Sequence, residues 1–363
     1  MDIRSCLCVL LLLDTVHTSM LDGAITKDLE SRDFSKAILE MLHINKLSVP
    51  RQAKPHPYMR QVYQLLKTQE SKQRSDTDGT LVQSFRSIQG TKYNNPGWIW
   101  FNVSQLRPSM TVAELVLLRK TLHPEPLTVT VEVHSLSTGA GNLSISGPLT
   151  EQLLTLNKLS PSGYDVFNVT EALAQQLNWL DALGFQLRFR DESGSLVLHE
   201  ALTQTLYCLN TSSLSQPLLV AYRIKPVELH GGGQFASMQS SEVRQRQHCK
   251  DSTQHEKQQK LPRQQRSSNT TCRLYVHHID IHKSELAQWI LLPSRFNISF
   301  CSGMCTGEKS ELGDTSTRLP CIPQKLYPLR LMYQSTTNDI IIQELKDMSA
   351  ETCACPAKSN NKK

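Results

Sequence analysis

Two short stretches near the N-terminus repeat apolar residues at helical spacing: Phe34, Ile38, Met41 and Leu42, then Tyr58, Val62, Leu65 and Leu66. Side chains three and four apart share one helix face, so the pattern predicts two amphipathic helices. A proline-broken connector, "SVPRQAKPHP" (48–57), separates them. From about residue 80 to 225 the pattern changes to short β-branched and aromatic runs: "WIWFNV", "LTVTVEV", "FQLRFR" and "PLLVAYRI". Turn clusters such as "STGAGN" divide some of them, which predicts a sandwich-like β domain. "NVTEALAQQLNWL" (168–180), with Thr170 in a cap position, predicts one helix on that domain.

Residues 230–266 break the pattern. They are rich in Gly, Ser, Gln and charge, with little to bury, and predict a solvated linker. From Glu242 to Arg266 seven Lys/Arg face three Asp/Glu, a net charge of +4. The linker ends on Arg263-Gln-Gln-Arg266, the R-x-x-R form accepted by basic-specific proteases of the secretory pathway. An acidic protease cleft needs both arginines extended and exposed, and a basic linker offers that. Strand patterns resume beyond it in "HHIDIH", "FNISFC", "LRLMYQ" and "DIIIQEL".

The N-terminus changes the compartment. Arg4 precedes the apolar run "CLCVLLLL" (6–13), followed by small and polar residues. That run is too short to span a bilayer and fits a secretory signal peptide over residues 1–20. Six N-x-S/T acceptors, at Asn102, Asn142, Asn168, Asn210, Asn269 and Asn297, agree with export and glycosylation. The net charge of +6 is mild for 363 residues and shows no concentrated basic face, which argues against a nucleic-acid partner. No G-x-S-x-G, P-loop or H-E-x-x-H occurs, so no enzymatic reading has a constellation to stand on, and no cofactor is implied.

In an oxidising compartment cysteines default to disulfides. Residues 267–363 carry Cys272, Cys301, Cys305, Cys321, Cys353 and Cys355, with Cys301 and Cys305 in "CSGMC" and the last two in "CAC". A β segment this short buries little core, so crosslinks are a physical requirement. Zinc competes for C-x₃-C, but "CAC" is poor zinc geometry. Spacing alone leaves fifteen pairings open. His277, His278 and His282 read as surface strand residues rather than a metal site. Cys208 and Cys249 remain upstream, as a pair with each other, between chains, or free.

The C-terminal segment resembles the transforming growth factor-β superfamily. The resemblance rests on "CRLYVHHIDIHKSELAQWILLPSRFNISFCSGMC", with its C-x-G-x-C and its "WI-x-x-P" at Trp289, Ile290 and Pro293. It extends through "CIPQKLYPLRLMY" and "KDMSAETCAC". Upstream, "PYMRQVYQLL", "SFRSI", "WFNVSQLRPSMTVAELVLLR" and "GYDVFNVTEAL" are similar, in order, to the family's latency propeptide, and the bone morphogenetic protein, growth/differentiation factor and Nodal branches are the most similar. The resemblance implies an all-β cystine-knot growth factor domain at 267–363. Before it would lie an α+β latency-type propeptide with a β-sandwich-like core at 21–229, then the basic linker at 230–266.

In that family Cys301–Cys353 and Cys305–Cys355 would close an eight-residue ring threaded by Cys272–Cys321, and Gly303 would remove one side chain from the passage. Each bond would close a loop of about fifty residues, worth roughly 4 kcal/mol and not additive. The resemblance also implies type I and type II serine/threonine kinase receptors, with a co-receptor as a further candidate partner. A proprotein convertase would act at Arg263/Arg266, and the chain's own propeptide would be a partner. Trp289, Leu331 and Tyr333 become receptor-contact candidates; Trp289 would be a partly exposed fingertip residue, with a plain core aromatic as the alternative.

Two departures matter. Pro320 stands where the family has its interchain cysteine, and only 15 residues separate Cys305 from Cys321, about half the usual interval, so the wrist helix is missing. Arg330 and Tyr327 stand where signalling ligands carry small residues on the knuckle. These fit either a signalling ligand that dimerises noncovalently, as a homo- or heterodimer, or a monomeric Lefty-like antagonist. The tail "PAKSNNKK" favours the antagonist and "NDIIIQELKDMS" the ligand.

Overall fold

A computed structural model describes residues 34–44, 54–69, 79–89, 97–139, 142–175, 182–197, 199–210, 214–223, 272–306 and 318–355. The signal-peptide, linker and cleavage-site expectations, with Asn269, Cys249, Arg263 and Arg266, lie outside these residues, as do 307–317 and the tail after Cys355. Among the described residues no helix is long and apolar enough to cross a membrane.

Both N-terminal helices form where the apolar spacing places them: α1 at 34–41 and α2 at Pro57–Gln69. Nine strands follow. β1 (Gly79–Ile88), β2 (Trp98–Asn102), β3 (Val112–Leu118), β4 (Thr128–Gly139) and β5 (Asn142–Thr155) come first. After them come β6 (Tyr164–Asn168), β7 (Ala182–Arg190), β8 (Leu196–Val197) and β9 (Leu218–Tyr222). Two short helices interrupt them, α3 (Thr170–Gln175) and α4 (His199–Leu206). The expected helix over 168–180 is thus described only as far as Gln175. The side-chain acceptor at its start is Asn168, whose Oδ1 accepts from the Thr170 amide (3.1 Å) and hydroxyl (2.6 Å).

β1 carries the sandwich from one layer to the other. Its first part pairs with β9, which pairs with β3 and then β6; its last two residues, Ser87 and Ile88, pair instead with β2. β2, β7, β4 and β5 continue the second layer. Between the layers lies a buried core that includes Phe85, Phe101, Leu115, Val131, Phe167, Phe185, Leu187 and Leu219. One buried ion pair sits among the strands: Arg119 Nε donates to Asp165 at 2.8 Å, and the Tyr207 hydroxyl donates to the same carboxylate at 2.8 Å. Neighbouring Cys208 is disulfide-bonded.

The C-terminal part adds β10 (Arg273–Asp280), β11 (Ile290–Leu292), β12 (Arg295–Ser302), β13 (Met304–Thr306), β14 (Arg318–Pro320), β15 (Ile322–Gln334) and β16 (Ile340–Ala354). β10 and β12 form one antiparallel hairpin, β15 and β16 a second, longer one. The second hairpin is not separate from the sandwich. β16 pairs antiparallel with β1, from Gly79↔Glu344 to Ser84↔Ile340, which fuses both parts into a twelve-stranded sheet.

That fusion explains how the sheet is covered. On one face α2 lays Tyr58, Met59 and Val62 across Val82, Val220 and Tyr222 of the sandwich and also Met332, Ile340 and Ile342 of the second hairpin. On the opposite face the hairpin is covered by α1 and the first hairpin. Strands buried on both faces lose polar alternation, which is why "LMY" and "III" run apolar without a break.

Candidate functional site

Three disulfides join the C-terminal strands: Cys272–Cys321, Cys301–Cys353 and Cys305–Cys355, with Cα–Cα distances of 5.2, 5.6 and 5.6 Å. Their sequence separations are 49, 52 and 50 residues. All six sulfurs are bonded in pairs, so none is a thiolate able to ligate a metal. Within the ring segment Gly303 has φ of 120°, a conformation that side-chain-bearing residues rarely adopt. Its carbonyl accepts from the amide of Cys321 at 3.2 Å. Pro320, the residue in place of the interchain cysteine, is exposed and faces Met304 in the short β13–β14 ladder.

Trp289 is positioned by local capping. Asp280 Oδ1 accepts from the His282 amide (3.2 Å) and Ser284 Oγ from the Leu286 amide (3.3 Å), each opening a short 3-10 turn. The second turn delivers Trp289, whose carbonyl then accepts from the Gln334 amide at 2.9 Å. The indole is 2% exposed, and Leu331 and Tyr333 are 0% and 1% exposed. All three lie in one cluster with Ile279, Ile298 and Ile341, closed by Ile38, Leu39, Leu42 and Ile44 from α1 and its end. Of the two readings of Trp289, the buried aromatic is the one this arrangement matches: in the whole chain the three receptor-contact candidates share one face, and α1 covers it. The Tyr333 hydroxyl donates to Gln343 (2.8 Å) and accepts from Arg107 of the sandwich (3.4 Å). Burial pushes the Tyr333 phenol above its ordinary range, and Arg107 opposes that shift.

The opposite face carries Arg330, in a setting its sequence position did not disclose. Its guanidinium pairs with Glu344 and donates to the carbonyl of Leu66 in α2, and the Tyr63 hydroxyl donates to the Arg330 carbonyl at 3.1 Å. Tyr327, farther along β15, is 41% exposed, with Lys325 Nζ 5.3 Å from its ring centre. On the first hairpin His278 Nδ1 lies 2.6 Å from Asn297 Oδ1, and His277 and His282 stand apart from any ligand-like cluster among the described residues. Asn102, Asn168, Asn210 and Asn297 are exposed, and Asn142 begins β5.

The part of Arg107 in this arrangement carries no local sequence signal, because its partner lies 226 residues away. The apolar face of α1 signals that it is buried against something, but not that Trp289 is what it covers.

Residues 271–355 match the family described as the transforming growth factor beta like domain. The chain is 21% identical over 382 residues to bone morphogenetic protein 4 of Oryctolagus cuniculus, covering 89% of this chain and 87% of that protein. It is 23% identical over 120 residues to the Derriere protein of Xenopus tropicalis, covering 26% of this chain and 34% of that protein. Growth/differentiation factor 7 of Homo sapiens is 23% identical over 95 residues, covering 22% of this chain and 21% of that protein.

Proposed function

Taking as premise that the chain is a divergent member of the transforming growth factor-β superfamily, we propose that it is a secreted signalling ligand made as a self-shielded precursor. Members of this family are non-enzymatic ligands that bind serine/threonine kinase receptors and dimerise. In this reading residues 21–229 are the propeptide, cleavage after Arg266 in the 230–266 linker separates it, and 267–363 is the factor that brings type I and type II receptors together. The observation that carries the reading is the covered face: Trp289, Leu331 and Tyr333 gather on one side of two hairpins rooted in the knot, under an N-terminal helix. A buried aromatic and aliphatic cluster that a detachable segment covers is the chemistry of an interface core.

A second reading is a monomeric Lefty-like antagonist that occupies a receptor or co-receptor unproductively. Pro320 and the 15-residue interval between Cys305 and Cys321 favour it. Oligomeric state separates the two, because signalling needs two receptor-binding faces held in fixed geometry. Native mass measurement of the C-terminal fragment, paired with a receptor reporter assay, is expected to give a noncovalent dimer that activates. A strict monomer that only blocks a related ligand overturns the first reading.

A further inference from the structure

Arg330 stands at the centre of the β15–β16 face that α2 covers. It lies directly opposite Glu344 in the ladder, and the two side chains, only 9% and 2% exposed, form an ion pair. Around them the face is apolar: Met332, Ile340 and Ile342 pack against Tyr58, Met59 and Val62. A guanidinium at such a place needs acceptors for the donors that Glu344 does not take. α2 supplies one from its own backbone. Leu66 lies in the last turn of the helix, where carbonyls have no intrahelical partner and the helix dipole is negative, and its oxygen accepts from Arg330. One turn earlier Tyr63 closes the contact by donating to the Arg330 carbonyl.

We propose that Arg330 is the specificity-determining residue of this face, selecting an occupant that brings a hydrogen-bond acceptor beside an apolar strip. The occupant is the C-terminal end of α2. A wholly apolar surface would bury the guanidinium without its second acceptor, and a desolvated, unpaired donor is the repulsive element that rejects it. This rests on the proposed reading only in treating the upstream segment as a detachable shield; the contact itself needs no receptor.

The test uses the full-length chain and amide hydrogen exchange. Arg330→Met/Glu344→Met replaces the ion pair by apolar side chains and leaves the rest of the face in place. Residues 57–69 are expected to exchange at least about tenfold faster, given the strength of hydrogen bonds to charged groups, with β4 and β7 amides unchanged. Unchanged or slower exchange in α2 overturns the proposal. Should that double variant lose protection in the β15–β16 ladder as well, Arg330→Lys decides. It keeps the charge but cannot fork to Glu344 and Leu66 together, so α2 should still exchange several-fold faster, and full α2 protection overturns the proposal. A chain inactive toward receptors would leave either result standing.

Discussion

The amide of Cys321, the residue whose disulfide reaches back to Cys272, donates to the carbonyl of Gly303 at 3.2 Å. One cysteine of the third disulfide is therefore tied by its backbone to the one ring residue without a side chain. With φ at 120°, Gly303 occupies a conformation that costs an L-residue at least about 1–2 kcal/mol. Gly303→Ala is expected to lower the yield of correctly paired protein. Nonreducing peptide mapping should show loss of Cys272–Cys321 in favour of other pairings, and a wild-type disulfide map at wild-type yield would contradict this.

His56 sets an acid limit on the docking of α2. Its Nδ1 accepts from the Tyr58 amide (3.1 Å), so Nε2 carries the proton and faces the Gln216 carbonyl at 3.2 Å. Burial, then the charge of Arg86, lowers its pKa from 6.5 to about 3, against the weaker opposing hydrogen bond to Gln216. The folded pKa lies below the unfolded one. The contribution is therefore complete above pH 6.5 and is lost as pH falls toward 3, at up to about 1.4 kcal/mol per pH unit. Thermal unfolding from pH 7 to 4 should show this slope, and His56→Gln should flatten it; parallel profiles for the two proteins would refute the assignment.

Gly184 makes room for Trp100. The two face each other in the β2–β7 ladder, and a Cβ at Gly184 would lie 2.8 Å from the indole ring. Trp100 is 6% exposed and cannot swing outward without losing its packing. Gly184→Ala should destabilise the sandwich by about 1–3 kcal/mol. Adding Trp100→Leu should make the second change cheaper than it is alone, which denaturant unfolding of both single variants and the double can read.

These sites differ in how far the sequence disclosed them. The helical spacing of Ile38, Leu42, Tyr58 and Val62 located α1 and α2, and "WIWFNV", "FQLRFR" and "PLLVAYRI" each hold a strand of the sandwich. The "CSGMC" spacing with the family resemblance led to the ring, because tight cysteine spacing restricts what a backbone can do. What α1 and α2 cover was not legible. An amphipathic face states that something is buried but not against which partner, and Tyr63 meets Arg330 across 267 residues. Trp289 reads equally as core and as contact residue until α1 is placed over it. The β1–β16 pairing was hidden for a related reason: register between distant strands is set by side-chain parity on both faces, and both faces here are apolar. The continuous apolar run in "DIIIQEL" was the one available hint.

Under the proposed cleavage, the shared ladder gives the stretch from Ile340 to Glu344 two successive environments. While β1 is present, its amides and carbonyls are satisfied from both neighbours. Once the halves part, a row of isoleucines is left beside unanswered backbone groups, the combination that invites one molecule to zip onto the next. In that reading the upstream half also guards solubility, and a C-terminal fragment prepared without it is expected to need another strand along that border, from a second copy or from a partner.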